Sequence, residues 1–376
     1  MQAVILAGGQ GTRLRPLTTT IPKPLLPVAN QALVERQLRW LADAGVTTAV
    51  LALGYRSGAF AARFPEGRFG SLRLRFVVEP RALGTAGAVR HAAEAAGIAE
   101  PFLVCNGDVL TDYDLAALIR THTQQRAAAT IALTRVADPS AFGVVPTDES
   151  GRVVDFVEKP AIGTAPTSWI NAGAYVLDPS VLGLIPSGRE VSIEREVFPG
   201  LLRMGKRVFA RRDRGAWIDI GTPAQFLRAN ELALGGAFGP APGAGEGGVW
   251  IQGAAMVDPR SGVEAPVLLG NGVVVGAGAL VSGSVLGRGC RVEPGARVIG
   301  SVLLDDARVR SGAVVVDSIL GPDSVVEPGA RIGGHTVLGA GARVEAGELI
   351  VGGHIELPGP GILLEQARSR QRVRLA

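Results

Sequence analysis

Hydrophobic positions along this chain follow two different periods, and the change falls near residue 235. Up to about residue 232, short runs rich in Val, Ile and Leu alternate with stretches where apolar residues return every third or fourth position. "AVILA" (3–7), "TAVLAL" (48–53), "LRLRFVV" (72–78), "PFLVC" (101–105) and "ATIALTRV" (129–136) have the length and composition of buried strands. After the first of them, Val34, Leu38 and Leu41 stand at i, i+4 and i+7, which predicts a helix within 30–45, with Gly45 as its C-cap. Such alternation predicts an α/β fold with a mostly parallel sheet covered on both faces.

"GGAFGPAPGAGEGG" (235–248) has almost nothing that could pack or sustain a helix, and reads as a linker. Beyond it an aliphatic residue recurs about every six positions, with a small residue four places later. The pairs are Val275 with Ala279, Leu286 with Cys290, Val292 with Ala296, Val309 with Ala313, Val326 with Ala330 and Leu338 with Ala342. "SVL" at 284–286 and 301–303 and "SIL" at 318–320 repeat at an interval of 17. Three short rungs per turn, one of them shortened by a residue, give that interval. This is the hexapeptide pattern of a parallel β-helix, with aliphatic side chains stacked inside and glycines at the corners.

Composition narrows the class. With 376 residues, 47% hydrophobic and 19% charged, the chain can bury two cores. A net charge of +4 gives no footprint for nucleic acid. Two cysteines far apart, Cys105 and Cys290, form no disulfide framework and fit a reducing compartment. Apolar runs break well before the roughly 20 residues of a membrane span, and the first residues lack a signal-peptide pattern. A cytoplasmic protein is expected. The tail "ARSRQRVRLA", with Arg368, Arg370, Arg372 and Arg374, reads as a solvated end.

The first strand runs into "LAGGQGTRLRPLT" (6–18), where Gly8, Gly9 and Gly11 precede Arg13 and Arg15. Backbone N–H groups reach an anion closely only where no Cβ intervenes. Leu14 stands where the dinucleotide fingerprint needs a third glycine, and Gly11-Thr12-Arg13 replaces the Gly-Lys-Ser/Thr of a Walker loop. By itself the loop fits an anion cradle and a plain tight turn equally.

Other polar residues sit where sheet packing alone would not put them. Asp108 in "LVCNGDVL" (103–110) follows a buried strand, and Asp219 in "WIDIG" (217–221) is flanked by apolar residues. A carboxylate at a buried strand end needs a partner or a cation. Capping is the simpler account of either aspartate alone, whereas together they could hold Mg²⁺. "FVEKP" (156–160) places Glu158 and Lys159 after an apolar strand, with Pro160 restricting the lysine. "INAGAY" (170–175) places Asn171 and Gly173 at another strand entry, and Lys23 lies between two prolines. A surface salt bridge explains each lysine singly. Arg13, Lys23 and Lys159 with two carboxylates describe a site for phosphates and a divalent cation. None of the four histidines lies in these motifs.

Here the chain resembles the nucleotide-diphospho-sugar pyrophosphorylases, and among them the mannose-1-phosphate guanylyltransferase branch. The pieces that carry the resemblance are "GGQGTRLRPLT", "PKPLLPV" (22–28), "EPRALGTAGAV" (79–89), "NGDVL" (106–110), "AFGVV" (141–145), "FVEKP", "INAGAYVLDPSVL" (170–182), "SIEREVFP" (192–199) and "WIDIGTP" (217–223). The resemblance implies a Rossmann-like nucleotidyltransferase domain over 1–234, the linker at 235–248, a left-handed parallel β-helix over 249–360 and an Arg-rich tail at 361–376. It implies nucleotide contacts from Leu6, Ala7, Gly8, Gly9, Gly11 and Thr12, and a base pocket at Glu79, Gly84 and Thr85. Arg13 would bind the β- and γ-phosphates, Lys23 would reach the α-phosphate, and Asp108 and Asp219 would hold Mg²⁺. Gly143, Glu158, Asn171 and Gly173 would contact the sugar, and Lys159 its phosphate. The reaction so implied is attack by a sugar-1-phosphate, mannose-1-phosphate first, on the α-phosphorus of a nucleoside triphosphate, GTP first.

Rival readings keep the fold. The sugar could be glucose-1-phosphate or a cyclitol phosphate, and the base thymine, adenine or uracil. Hexapeptide β-helices also form acyltransferases with a histidine base, for which His335 and His354 are candidates, but rungs 275–349 lack the long loop such sites use. A non-catalytic nucleotide-sugar-binding subunit would be expected to have lost site residues, and Arg13, Lys23, Asp108, Lys159 and Asp219 are all present. The β-helix, with open ends and flat faces, is expected to mediate homo-oligomer formation.

Overall fold

The computed structural model describes every residue except Tyr55, Ala241, 357–372 and 375–376. Its contacts divide the chain into two units, Met1–Gln10 with Leu33–Asp219, and Gly11–Ala32 with Ile220–Ala376.

The first unit is built on seven strands: β1 (Gln2–Ala7), β2 (Thr48–Leu53), β3 (Leu72–Val78), β4 (Phe102–Asn106), β5 (Ala129–Arg135), β6 (Trp169–Leu177) and β7 (Val208–Arg212). They lie in the order β3-β2-β1-β4-β6-β5-β7, and only β6 runs antiparallel to its neighbours. A strand at Arg68–Phe69 extends one edge, and the paired strands Gly143–Val144 and Val157–Glu158 join β6. The predicted helix spans Leu33–Asp43 and buries Val34, Leu38 and Leu41, and Gly45 at φ 80° ends it in the left-handed region. All six residues of β2 are buried, as a central parallel strand covered on both faces requires. The core packs Val4, Val50, Phe102, Val104 and Ile131 with Tyr175 and Phe198.

In the second unit, three parallel sheets of short strands form the β-helix. Successive coils are 17 or 18 residues long: Val285 pairs with Val302 and Val302 with Ile319, whereas Ile319 pairs with Val337. All the aliphatic–small pairs read from sequence point into one buried core, including Leu286 with Cys290 and Leu338 with Ala342. Ser284, Ser301 and Ser318 form an internal ladder; the N–H of Ser301 donates to Ser284 Oγ (3.0 Å), and that of Ser318 to Ser301 Oγ (3.1 Å). That ladder is why serine precedes each of the three apolar pairs in the 17-residue repeat.

The outer positions of the three sheets differ. Arg291, Arg308 and Arg343 are exposed on one sheet, and Arg297 and Arg331 on another. On the third, Leu268, Val285, Val302, Ile319 and Val337 face away from the helix interior yet are at most 3% exposed. Residues 11–32 and the helix Pro223–Leu234 pack on this sheet. Pro16 Cβ lies 3.0 Å from where a Cβ on Gly339 would stand. Leu227 and Leu234 line a groove with Val285 and Val302.

No described residue of 235–248 is helical, and its end folds back, Ala244 and Ile251 exchanging backbone hydrogen bonds of 3.0 and 2.9 Å. Most of the Arg-rich tail lies outside the described residues; Val373–Arg374 is a strand antiparallel to Glu348–Leu349. Cys105 and Cys290 are buried free thiols whose pKa values burial raises to about 12. Among the described residues no helix is long and apolar enough to cross a membrane.

Candidate functional site

Because β1, β2, β3 and β4 are parallel, their carboxyl ends open at one edge of the sheet, where ligands of such folds bind. Backbones crowd there, and glycine is required. A Cβ on Gly107 would stand 2.3 Å from the Leu6 carbonyl, and one on Gly54 would stand 2.8 Å from the Gly8 carbonyl. Gly8 itself faces Glu79, whose Oε1 is 2.6 Å from the position of a Cβ, whereas Gly9 has open space. Leu6 accepts the Gly107 N–H at 2.9 Å, and Ala7 is buried. The loop of Gly8 and Gly9 is thus bare backbone beside a carboxylate. Burial raises the Glu79 pKa, opposed by the hydrogen bond that its Oε2 accepts from Leu83 N–H at 3.1 Å.

Gly84 opens the helix Gly84–Ala96 at φ 69°, so close to Val191 that a Cβ would lie 2.6 Å from its carbonyl oxygen. The Thr85 hydroxyl is engaged twice: it donates to Glu194 Oε2 (2.8 Å) and accepts from Ile193 N–H (2.8 Å). The hydroxyl proton is thereby committed, and one acceptor lone pair of the oxygen is left for a ligand.

Asp108 lies in the turn after β4. The buried Gln37 closes that turn, donating from Nε2 to the carbonyls of Asn106 (2.7 Å) and Val109 (2.8 Å). Asp219 ends the strand Trp217–Asp219, which pairs antiparallel with Val109–Thr111 and sets Asp219 opposite Val109. The ribbon therefore brings Asp219 next to the residue that follows Asp108, though the two are far apart in sequence. Both aspartates are half-buried. Trp217 pins the ribbon, donating from Nε1 to the Ala172 carbonyl (2.9 Å) and meeting Phe142 edge-on at 5.6 Å. Two carboxylates without a further group of His, Cys, Asp or Glu around them among the described residues suit a hard oxygen-seeking cation completed by substrate oxygens.

Gly143, Glu158, Lys159, Asn171 and Gly173 cluster around β6. Gly143 pairs with Glu158, and a Cβ there would stand 2.7 Å from Phe156 Cζ and 2.8 Å from Glu158 Oε2. Gly173, at φ 75°, sits in an irregularity between Asn171 and Tyr175 and lets β6 pass the Asn106 side chain, 2.9 Å from where its Cβ would be. Asn171 Nδ2 donates to Tyr175 Oη (2.7 Å), and its Oδ1 accepts from Gly173 N–H (2.9 Å). Burial raises the Glu158 pKa, and the Glu194 charge raises it further against Lys159 and Arg195. Lys159 is exposed at φ 51°, its ammonium 4.0 Å from Glu158 Oε1.

In the second unit, Gly11 at φ 61° starts the turn Thr12–Leu14, and the buried Thr18 hydroxyl donates to its carbonyl at 2.8 Å. Thr12 and Arg13 are exposed. Lys23 is 8% exposed, its Cβ 3.1 Å from where a Cβ on Gly11 would stand. Arg13 rests on Gly221.

Sequence reasoning missed Gln37, Glu194 and Gly221. Gly221 and Glu194 were legible as letters of "WIDIG" and "SIEREVFP", whereas Gln37 acts through long-range contacts that no local pattern marks. His335 and His354 are exposed at the β-helix surface, and no coil among the described residues carries the long insertion of an acyltransferase site.

A mostly parallel nucleotide-type sheet with a glycine loop and paired carboxylates, followed by a hexapeptide β-helix, defines a nucleotidyl-transferring enzyme. The chain belongs to the nucleotidyl transferase family, whose pattern matches residues 2–235, and residues 263–363 match the family described as the GMPPB C-terminal domain. It is 41% identical over 287 residues to a mannose-1-phosphate guanylyltransferase of Mycobacterium tuberculosis, covering 76% of this chain and 79% of that one. It is 38% identical over 265 residues to mannose-1-phosphate guanyltransferase beta-B of Xenopus laevis, covering 69% and 72%. Among solved structures, HddC from Yersinia pseudotuberculosis, also crystallised with GMP-PN, is 29% identical with a TM-score of 0.53, covering 61% of this chain and 98% of that one. Nucleotidyl transferases of this family work with a divalent metal, a nucleoside triphosphate and a sugar-1-phosphate.

Proposed function

We propose that this protein transfers a guanylyl group from GTP to mannose-1-phosphate, releasing pyrophosphate and GDP-mannose, with Mg²⁺ as its metal. The observation that carries the reading is the sheet edge at which Gly8, Glu79 and Asp108 open, with Asp219 brought beside the Asp108 turn, on a chain 41% identical to a guanylyltransferase.

An oxygen of the mannose-1-phosphate attacks the α-phosphorus of GTP in line. The new P–O bond forms as the bond to the β-phosphate breaks, and pyrophosphate leaves. Two polyanions must meet, so the barrier is largely electrostatic repulsion and misorientation. The phosphate nucleophile is ionised at neutral pH, and no general base is needed, which fits motifs without histidine. Arg13 holds the β- and γ-phosphates and neutralises the charge that grows on them, while Lys23 reaches the α-phosphate. Gly8, Gly9, Gly11 and Thr12, with Leu6 and Ala7 beneath, present backbone N–H groups to the triphosphate. Glu79, Gly84 and Thr85 line the base. Gly143, Glu158, Asn171 and Gly173 orient the sugar, and Lys159 holds its phosphate. Asp108 and Asp219 would hold the Mg²⁺, which when bound would supply Lewis-acid neutralisation of phosphate charge. The enzyme works in the cytoplasm as a homo-oligomer assembled through its β-helix.

The test is pyrophosphate release with Mg²⁺ across GTP, dTTP, UTP and ATP against mannose-1-phosphate and glucose-1-phosphate. Preference for GTP with mannose-1-phosphate is expected. Preference for another pair assigns the enzyme to a sister branch, and silence with nucleotide still bound overturns the mannose-1-phosphate reading in favour of an uncommon sugar phosphate or a binding subunit.

A further inference from the structure

The segment that carries Arg13 and Lys23 has little of its own to hold it. Between Gly11 and Ala32 it contains three-residue 3₁₀ turns at Thr12–Leu14, Leu17–Thr19 and Lys23–Leu25, and then a hairpin of two-residue strands, Pro27–Val28 and Gln31–Ala32. Such turns have poor hydrogen-bond geometry and bury little by themselves. Its contacts group it with the rest of the second unit.

The hairpin tip is Ala29-Asn30, both left-handed at φ 47° and 56°, the geometry of a two-residue hairpin turn. The tip does not point into solvent. Ala29 is fully buried, and its N–H donates to Asn230 Oδ1 at 2.8 Å. Asn230 is itself buried, on the helix Pro223–Leu234. Asn30 Nδ2 donates to the Leu286 carbonyl on the covered sheet of the β-helix (2.8 Å) and to Gln252 Oε1 in its first coil (3.1 Å). Farther along, Pro16 packs on Gly339. The apolar outer row Leu268, Val285, Val302, Ile319 and Val337 is the face these elements cover, while the equivalent row on a second sheet carries exposed arginines.

We infer that this face of the β-helix is the platform that fixes the triphosphate-gripping segment, and that Asn30 is the positioning residue that pins the segment to it. The inference rests on the nucleotidyl-transfer reading of Arg13 and Lys23. A cation helps transition-state charge only if it is held in place beforehand, and a misplacement of about 1 Å can cost up to ~100-fold. The C-terminal domain then contributes to catalysis without contributing a reacting group.

The experiment compares wild type with Asn30→Gly, Asn30→Asp and Arg291→Ala. Glycine accepts the left-handed tip and removes the side chain with its amide. Aspartate keeps the shape but turns an acceptor toward two acceptors. Arg291→Ala is the control on an exposed face. For Asn30→Gly the KM for GTP is expected to rise and kcat to fall, roughly tenfold in each as a partial misplacement predicts. The KM for mannose-1-phosphate and the melting temperature stay near wild type, Asn30→Asp is at least as impaired, and the control is unchanged. Wild-type kinetics in Asn30→Gly, or a fall in kcat alone that tracks lost folded protein, overturns the inference while leaving the function intact. If wild type releases no pyrophosphate with any pair, the functional reading fails separately. The anchor is then read from binding of a fluorescent GTP analogue, which Asn30→Gly must weaken for the inference to stand.

Discussion

The guanidinium of Arg13 lies face-on to Gly221, its Nη2, Cζ and Nη1 standing 2.9, 3.1 and 3.1 Å from the position a Cβ would take. Gly221 follows Asp219 by two residues, so "GTRL" and "WIDIG" meet at the backbone of one glycine. A methyl there would push on the flexible end of Arg13 rather than on the fold. Gly221→Ala is expected to lower kcat about tenfold, through displacement of a preorganised charge, while leaving the melting temperature unchanged. Stopped-flow pyrophosphate release and a thermal melt together check this; a destabilised variant with normal kcat per folded molecule would refute it.

In the proposed site Asp108 and Asp219 share one cation, the ribbon setting Asp219 opposite Val109, and groups that act on one ligand respond non-additively. Asp108→Asn and Asp219→Asn should each raise the Mg²⁺ concentration needed for half-maximal activity, and the double variant should be little worse than the poorer single. Calorimetric titration of Mn²⁺ in the presence of nucleotide gives a readout independent of turnover. Full additivity across the two variants would separate the aspartates into different roles.

Lys159 and Arg13 should fail differently. Lys159 is exposed and only 4.0 Å from Glu158, a weak ion pair that leaves its ammonium available to an anion. A charge-assisted hydrogen bond to the sugar phosphate contributes about 1.5–3 kcal/mol, so Lys159→Ala should raise the KM for sugar phosphate by about 10- to 100-fold. Arg13→Ala should act chiefly on kcat. Steady-state kinetics with each substrate varied in turn distinguishes them, and equal effects on both parameters in both variants would remove the division of labour.

Much of this was legible in the sequence because it is local. The run at 48–53 is a strand to the residue, and the aliphatic–small pairs of the β-helix all fall in its core, since both follow from side-chain period. The strand Val208–Arg212 was not read, because three buried residues followed by two arginines leave no clear period. Candidate aspartates, lysines and glycines were visible as polar or small residues in apolar surroundings. The settings that tune them were not. Gln37 reaches across to the Asp108 turn, and Thr85 reaches Glu194 over more than a hundred residues. The buried outer row from Leu268 to Val337 was in plain view within the "SVL" repeats. A strand buried on both faces reads like one buried on a single face until its cover is seen.

In the proposed sugar site, Glu158 and Glu194 should make binding sensitive to pH. Burial raises the Glu158 pKa first, the Glu194 charge raises it further, and Lys159 and Arg195 oppose both. The ionised carboxylate accepts hydrogen bonds from sugar hydroxyls, and the protonated form loses part of that capacity. As pH falls through this raised pKa, the KM for sugar phosphate should therefore rise, starting above the ordinary carboxylate range. Glu194→Gln removes a like charge, lowers the Glu158 pKa and should move the limb to lower pH. Lys159→Ala removes a favourable charge and should move it to higher pH. The substrate phosphate also titrates, but identically for every variant, so the difference between their profiles belongs to the protein. Identical limbs in wild type and Glu194→Gln would show that Glu158 does not bear on sugar binding.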